Sequence, residues 1–273
     1  MKSRVVFENE SVNHIRIAYP CSALQPYIEY YFEINTANTS QPFHLKGIPA
    51  ANVLLAFQLG TTAWNSFTES VNDLQAINTS QLLGHISTSF NSIYQPGTHF
   101  FFIKLKPGVA AAFFKCGAEE LENRQVDLNY LLKTDELEDR LRHAKGFYER
   151  VQVGETNLLY RLPQLFVHDH KFRVVQHCIR KYESLQLKDE KGLDYLCSRL
   201  HVTYASLRRY FITTVGYTPK FTQRTIRFKK ALGAYSTSGY NFYHEDFGYT
   251  DFSHFVKDAK MLTGHAPAQL IAG

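Results

Sequence analysis

The sequence predicts an α+β protein: a mostly antiparallel β N-terminal domain with helices, followed by an all-α double helix-turn-helix domain. Aromatic and β-branched runs broken by short turns fill the chain up to Gly108. Apolar residues at helical spacing take over from Val109, and only helical patterns occur from Phe172 onward. The length of 273 residues suits two domains.

Three apolar runs predict strands, at residues 27–34, 52–59 and 99–106, and the first run also fits a short helix that leads into a strand. Pro and Gly bound them, as is typical of strands that end in turns. Further along the chain, residues 135–150 predict one amphipathic helix. Residues 153–171 carry Gly, Pro and polar residues, so we expect an N-terminal domain at 1–152, a linker at 153–171 and a C-terminal domain at 172–273.

Charge is divided unevenly between the two halves of the chain. Residues 1–170 hold 14 Lys and Arg against 17 acids, a net charge of −3, whereas residues 171–273 hold 16 against 8, a net charge of +8. A basic module joined to a slightly acidic one is typical of proteins that bind a polyanion. An unevenly charged, solvated surface is the simpler alternative.

The cysteines and the start of the chain indicate a compartment. Four cysteines are far apart and form no C-x-x-C pair, and no apolar run resembles a signal peptide or a membrane span. We therefore expect reduced thiols, a cytoplasmic protein and no membrane partner. Core packing is the expected role of Cys178 and Cys197.

The most basic segment, residues 193–232, has the pattern of a helix-turn-helix. It holds eight Lys and Arg and one acid, Asp194. A break at His201-Val202 precedes Thr203, which is a plausible N-cap for a second, recognition helix. The exposed positions of that helix would be Tyr204, Ala205, Arg208 and Arg209, and an arginine can bond guanine bidentately.

Several short motifs then follow in a fixed order. Residues 196–203, Leu207-Arg208-Arg209-Tyr210-Phe211, Gly216-Tyr217-Thr218-Pro219 and residues 227–232 resemble the first half of an AraC-family DNA-binding domain. Residues 247–255 and Thr263-Gly264-His265-Ala266-Pro267 resemble its second half. The resemblance covers about residues 172–273 and implies a bacterial transcription regulator with two helix-turn-helix units joined by a long helix, at about residues 219–235.

The resemblance implies recognition helices at residues 203–214 and 251–262. In the second helix it places Phe252, Ser253, His254 and Lys257 toward DNA, and Arg224 and Arg227 of the connecting helix are further candidate contacts. The second unit departs from the family pattern, because His244 stands where a small residue is usual and residues 233–273 have a net charge of −2. We therefore expect the first unit to dominate DNA affinity.

The N-terminal half resembles, less closely, a domain that often precedes AraC-type domains. The matching pieces are Pro20 through Tyr31, Gly47-Ile48-Pro49, Leu59-Gly60, Leu83-Gly84, Lys106-Pro107-Gly108 and Leu121-Glu122-Asn123. This implies a sensor or dimerisation module. Two hypotheses stay open: control by a small-molecule effector, or control by a protein partner or oligomerisation with no pocket. Double-stranded DNA, an effector, a second copy of the chain and, for an activator, RNA polymerase are the partners implied.

Other chemistries find little support in the sequence. The close pair His168 and His170 has no further ligands at metal spacing, so we expect no metal or other cofactor. No nucleophile elbow, phosphate loop or dinucleotide fingerprint occurs, and we expect no enzyme activity. Tyr27, Tyr30, Tyr31, Trp64, Phe100 and Phe102 could line an apolar pocket, although core packing suits most of them better.

Overall fold

Strands occupy the first part of the chain and form two antiparallel sheets, in a computed structural model that describes residues 14–68, 71–131, 135–159, 161–166, 169–185 and 191–271. The larger sheet has the order β1-β2-β9-β4-β7-β10, and the smaller has the order β3-β8-β5-β6. The strands are β1 (Ile15–Ala18), β2 (Ile28–Asn35), β3 (Phe43–Gly47), β4 (Val53–Gln58), β5 (Trp64–Thr68), β6 (Val71–Ile77), β7 (Gln81–Leu83), β8 (Phe90–Tyr94), β9 (His99–Leu105) and β10 (Gln125–Asp127). Helices follow, which confirms the predicted α+β class.

Strand β9 shows why the larger sheet is apolar on both faces. Phe100 and Phe102 lie between the two sheets and pack with Trp64 and Tyr94. Phe101, on the opposite face, packs against the helices that cover the sheet. Successive side chains of a strand point to opposite faces, so a continuous apolar run marks a strand buried on both sides.

Five helices surround this region: α1 (Val109–Phe114), α2 (Leu128–Leu131), α3 (Asp135–His143), α4 (Phe147–Leu159) and α5 (Leu162–Phe166). The single helix predicted at residues 135–150 is wrong, because the chain turns at residues 144–146. Arg150 stabilises the break. Its guanidinium donates to the carbonyl oxygens of Leu141 and Ala144, both at 3.1 Å, and to the Glu33 carboxylate at 2.8 Å. Carbonyl groups at the C-terminal end of α3 and the buried Glu33 carboxylate are thereby satisfied together.

Helix α4 crosses residue 153, where the sequence places the start of a linker. Gly154 faces Ile103 and Phe101 of the sheet, and Leu158 is buried in the same cluster. Phe172, the first residue of the predicted C-terminal domain, also packs into this cluster. The division at 153–171 remains a prediction, and His168, half of the histidine pair, lies outside the described residues.

The rest of the described chain is helical: α6 (His170–Glu183), α7 (Lys191–Arg199), α8 (Tyr204–Val215), α9 (Pro219–Ser238), α10 (Phe252–Thr263) and α11 (Pro267–Ile271). One face of α6 is buried as its spacing predicts, with Val175, Cys178 and Ile179 in a core shared with Leu196 of α7 and Phe211 of α8. A second core joins α9 to α10 around Phe228 and Phe255. We call residues 14–131 the β-rich part and residues 170–271 the helical part.

Candidate nucleic-acid interface

Helices α7 and α8 form the first unit, with residues 200–203 as the turn between them. Leu200 and Val202 donate their backbone N–H groups back to α7, and His201 adopts a left-handed conformation with φ of 52°. The Thr203 hydroxyl oxygen then accepts the backbone N–H of Ser206 at 3.1 Å and caps α8. The predicted N-cap is therefore present, and a short turn separates α7 from α8, as in a helix-turn-helix.

The N-terminal half of α8 presents its polar side chains to solvent. Thr203, Tyr204, Ala205, Arg208 and Arg209 are all exposed, whereas Leu207 and Phe211 on the other face are fully buried. Within the described residues, neither arginine forms an ion pair, and Arg209 lies over the neighbouring Tyr210 ring. An exposed, basic and correctly capped helix can enter a major groove and donate to base edges or phosphates.

The connecting helix α9 begins at Pro219, where the prediction of about residues 219–235 placed it, but both of its candidate arginines contact an acid of the protein. Asp258 of α10 is buried and accepts from Arg227 at 2.7 Å, with Arg224 at 3.5 Å. The Arg227 guanidinium also lies 4.3 Å from the centre of the Tyr249 ring. A DNA contact by Arg224 or Arg227 therefore competes with an ion pair inside the protein.

The second unit consists of a short 3-10 turn, His244–Phe247, followed by α10. The turn has no buried residue, so His244 is not wedged between two helices as its position suggested. Its Nε2 lies 3.3 Å from Glu245 instead. On α10, Asp251 caps the helix by accepting from the backbone N–H of His254 at 2.7 Å. The predicted contacts Phe252, Ser253 and Lys257 are exposed, while His254 is half-buried.

The C-terminal end of α8 docks on the β-rich part. Gly216 ends the helix in a left-handed conformation, with φ of 86°, directly beneath the imidazole of His85. The next residue, Tyr217, meets the same imidazole edge-on at 4.6 Å between ring centres. Burial lowers the pKa of His85 although Glu122 opposes the shift, so this contact joins two neutral rings.

A cavity of about 1100 Å³ lies between the sheets and helix α9. Its walls include the apolar side chains of Leu54, Trp64, Phe67 and Phe90, and Ile226 closes it from α9. Lining cations outnumber lining acids: Lys46, Lys104, Lys106, Arg124, Lys229 and Lys230 against Glu29 and Glu183. Ligand sites of small molecules combine such an apolar wall with a few convergent polar groups. The cavity suits a molecule with an apolar body and a negative charge.

Trp64 and Tyr30 are the aromatic residues proposed from the sequence that line this cavity. Trp64 is 2% exposed and stacks on Tyr94, and its indole N–H has no hydrogen-bond partner among the described residues. Tyr31, Phe100 and Phe102 are core residues, and Tyr27 stacks on Phe166.

An ion cluster that sequence reasoning missed joins the two parts of the molecule at this cavity. Glu29 Oε1 lies 3.2 Å from Lys104 Nζ on β9 and 3.1 Å from Lys229 Nζ on α9. Burial raises the pKa of Glu29, but the two ammonium groups outweigh it and hold that pKa well below its ordinary value. No local pattern reveals the cluster, because Glu29 and Lys229 are 200 residues apart.

Metal-binding clusters and membrane-spanning helices are both absent from the described ranges. Within these ranges, no group of three or more His, Cys, Asp or Glu residues is arranged to hold a metal ion. No helix in the same ranges is both long and apolar enough to cross a membrane.

Comparisons with known proteins add a family model and several structures. The model, described as a domain of unknown function (DUF6597), matches residues 16–127. No curated protein matches the sequence. Similar solved structures are a variant of apo ToxT from Vibrio cholerae (10% identity, 96% of this chain and 98% of that chain, TM-score 0.46), ToxT bound to an unsaturated fatty acid (9%, 96% and 96%, 0.43) and the AraC-like transcriptional activator CuxR (11%, 81% and 87%, 0.33). Likenesses at these identities and TM-scores assign neither a family nor a ligand to this chain.

Proposed function

We propose that this protein is a sequence-specific DNA-binding transcriptional regulator of the AraC type, and not an enzyme. One observation carries the proposal: α8 is a capped helix in a helix-turn-helix, and it exposes Arg208 and Arg209 without an ion-pair partner among the described residues. A surface that is merely solvated does not require a turn, an N-cap and two adjacent arginines. A groove-reading helix needs all three.

The β-rich part is the proposed sensor, and its ligand is a small molecule. A β core with no pocket would favour the alternative, in which a protein partner or oligomerisation controls the regulator. The cavity of about 1100 Å³ instead favours an effector. A homodimer and, for an activator, contact with RNA polymerase remain predictions from the family resemblance.

Helix α9 provides the route from effector to DNA. Ile226, Lys229 and Lys230 line the cavity from this helix. The same helix packs through Phe228 against α10 and begins directly after the Gly216 end of α8. A ligand that moves α9 would change the relative position of the two units. That relative position determines the spacing of the two half-sites that the units can bind on DNA.

Titration of duplex DNA with the full-length protein at several salt concentrations tests the proposal. Because lysines and arginines release counterions when they bind phosphates, the logarithm of the affinity should fall steeply and linearly with the logarithm of salt concentration. A flat plot would overturn the proposal. Genomic footprinting of the same protein would then identify the operator, and the neighbouring genes would indicate the class of effector.

A further inference from the structure

Glu29 occupies an irregular position in strand β2. In the pairing with β9, Ile28 lies opposite Leu105 and Tyr30 lies opposite Lys104, so the register shifts at Glu29. An extra residue of this kind forms a β-bulge, which redirects a side chain out of the regular alternation. As a result, Glu29 and Tyr30 both line the cavity, while Ile28 and Tyr31 are buried in the core beneath the helices.

The redirected carboxylate has three donors around it. Lys104 and Lys229 bond one oxygen, and the Asn52 side-chain amide donates to the other. Lys104 also donates to the Tyr30 hydroxyl at 3.0 Å. Lys104 is 8% exposed, so its charge depends on neighbours rather than on water. Lys229 also interacts electrostatically with Glu183, the second acid of the cavity lining.

We propose that Glu29 is a built-in counter-ion, which an acidic effector displaces from Lys104 and Lys229 when it enters the cavity. The inference rests on the proposed effector function and assigns its regulation. The effector contributes a carboxylate or similar anion to the lysines and an apolar body to the wall formed by Leu54, Trp64 and Phe67. Displacement breaks the ion pair between Glu29 of β2 and Lys229 of α9. The effector thereby changes the contact between the β-rich part and the connecting helix.

The fluorescence of Trp64 can report the entry of a ligand into the cavity. Trp64 is the chain's single tryptophan and lines the cavity, so intrinsic fluorescence reports ligand entry there. Octanoate serves as an acidic probe with an apolar chain, and 1-octanol serves as its uncharged match. Glu29→Gln removes the internal competitor with little change of shape. Because a bond between charged groups is strong, we expect this variant to bind octanoate at least about ten-fold more tightly than the wild type and 1-octanol equally well.

Asp246→Asn is the charge-matched control, because it removes one negative charge from an exposed position outside the cavity lining. We expect its octanoate affinity to stay within about two-fold of the wild type. Glu29→Asp shortens the carboxylate and should give an intermediate gain, which provides the test should the Gln variant fold poorly.

Several results would overturn the inference: no octanoate binding to any folded variant, equal or weaker binding to Glu29→Gln, the same gain for 1-octanol, or the same gain in Asp246→Asn. The measurement uses no DNA. A failure of DNA binding would therefore contradict the proposed function without affecting the interpretation of the octanoate measurement. An octanoate affinity that is unchanged in Glu29→Gln would contradict only the counter-ion role of Glu29.

Discussion

The two units resemble the two halves of one double helix-turn-helix pattern in sequence, but they place their arginines differently. In the first unit, Arg208 and Arg209 lie on the exposed face of α8 and form no ion pair within the described residues. In the second, Asp258 of α10 engages Arg224 and Arg227 of the connecting helix. The arginines of the first unit are thus available to bind a polyanion. The arginines that face the second unit form ion pairs with its Asp258 and stabilise its packing.

The units also differ in what their recognition helices rest on. The end of α8 is seated on His85 of the β-rich part, whereas Gly264, the equivalent C-terminal glycine of α10, has open space around it. The second unit is nevertheless tied nearby, since the Ser89 hydroxyl donates to the carbonyl oxygen of Thr263 at 3.0 Å. The sequence already predicts a larger role in DNA binding for the first unit, and the different surroundings of the two units support that prediction.

Loss of Asp258 should have the largest effect. Asp258→Ala leaves the half-buried Arg227 guanidinium without its carboxylate, so we expect the free energy of unfolding to fall by about 3–5 kcal/mol. Asp246→Ala, at an exposed acid of the same unit, is the control and should change it by less than about 0.5 kcal/mol. Urea denaturation measures both. Equal, small changes would show that the Asp258 cluster does not hold the second unit.

The two helix-ending glycines test the docking of the first unit. A Cβ at Gly216 would overlap the His85 imidazole, and the left-handed backbone is unfavourable for alanine as well. We expect Gly216→Ala to destabilise the protein by about 3 kcal/mol.

At Gly264, nothing lies within 4 Å of the position that an added Cβ would take. Gly264→Ala therefore brings only the cost of the left-handed backbone, and we expect the free energy of unfolding to fall by about 1 kcal/mol. Thermal unfolding of the two variants side by side measures the difference. Should both cost the same, the contact between α8 and His85 contributes nothing to stability.

Replacement of the exposed basic residues tests which unit reads DNA. A bidentate arginine–guanine contact contributes about 1–3 kcal/mol of discrimination. We expect Arg208→Ala or Arg209→Ala to weaken specific binding by more than about ten-fold, and Lys257→Ala to weaken it only a few-fold. Dissociation constants on one operator at one salt concentration decide this. An equal or larger loss at Lys257 would show that the second unit reads DNA after all.

Local sequence determined much of the framework. The strand runs that end at Gly60 and Pro107 become β4 and β9 with shifts of one residue at their ends. Thr203, Thr218 and Gly216 begin and end helices where their side chains and backbone preferences predict. These features depend on hydrogen bonds between residues a few positions apart, so a sequence alone specifies them.

Tertiary structure alone decided the features on which the proposed regulation rests. At the break before α4, Arg150 also bonds Glu33, 117 residues away. The cavity and the contact of Glu29 with Lys229 arise where a bulged strand meets a helix from the other end of the chain. Charge counts showed that the C-terminal half is basic, but not which cations are already paired. Pairing depends on distances between elements, and those distances are set only when the sheets and helices pack together.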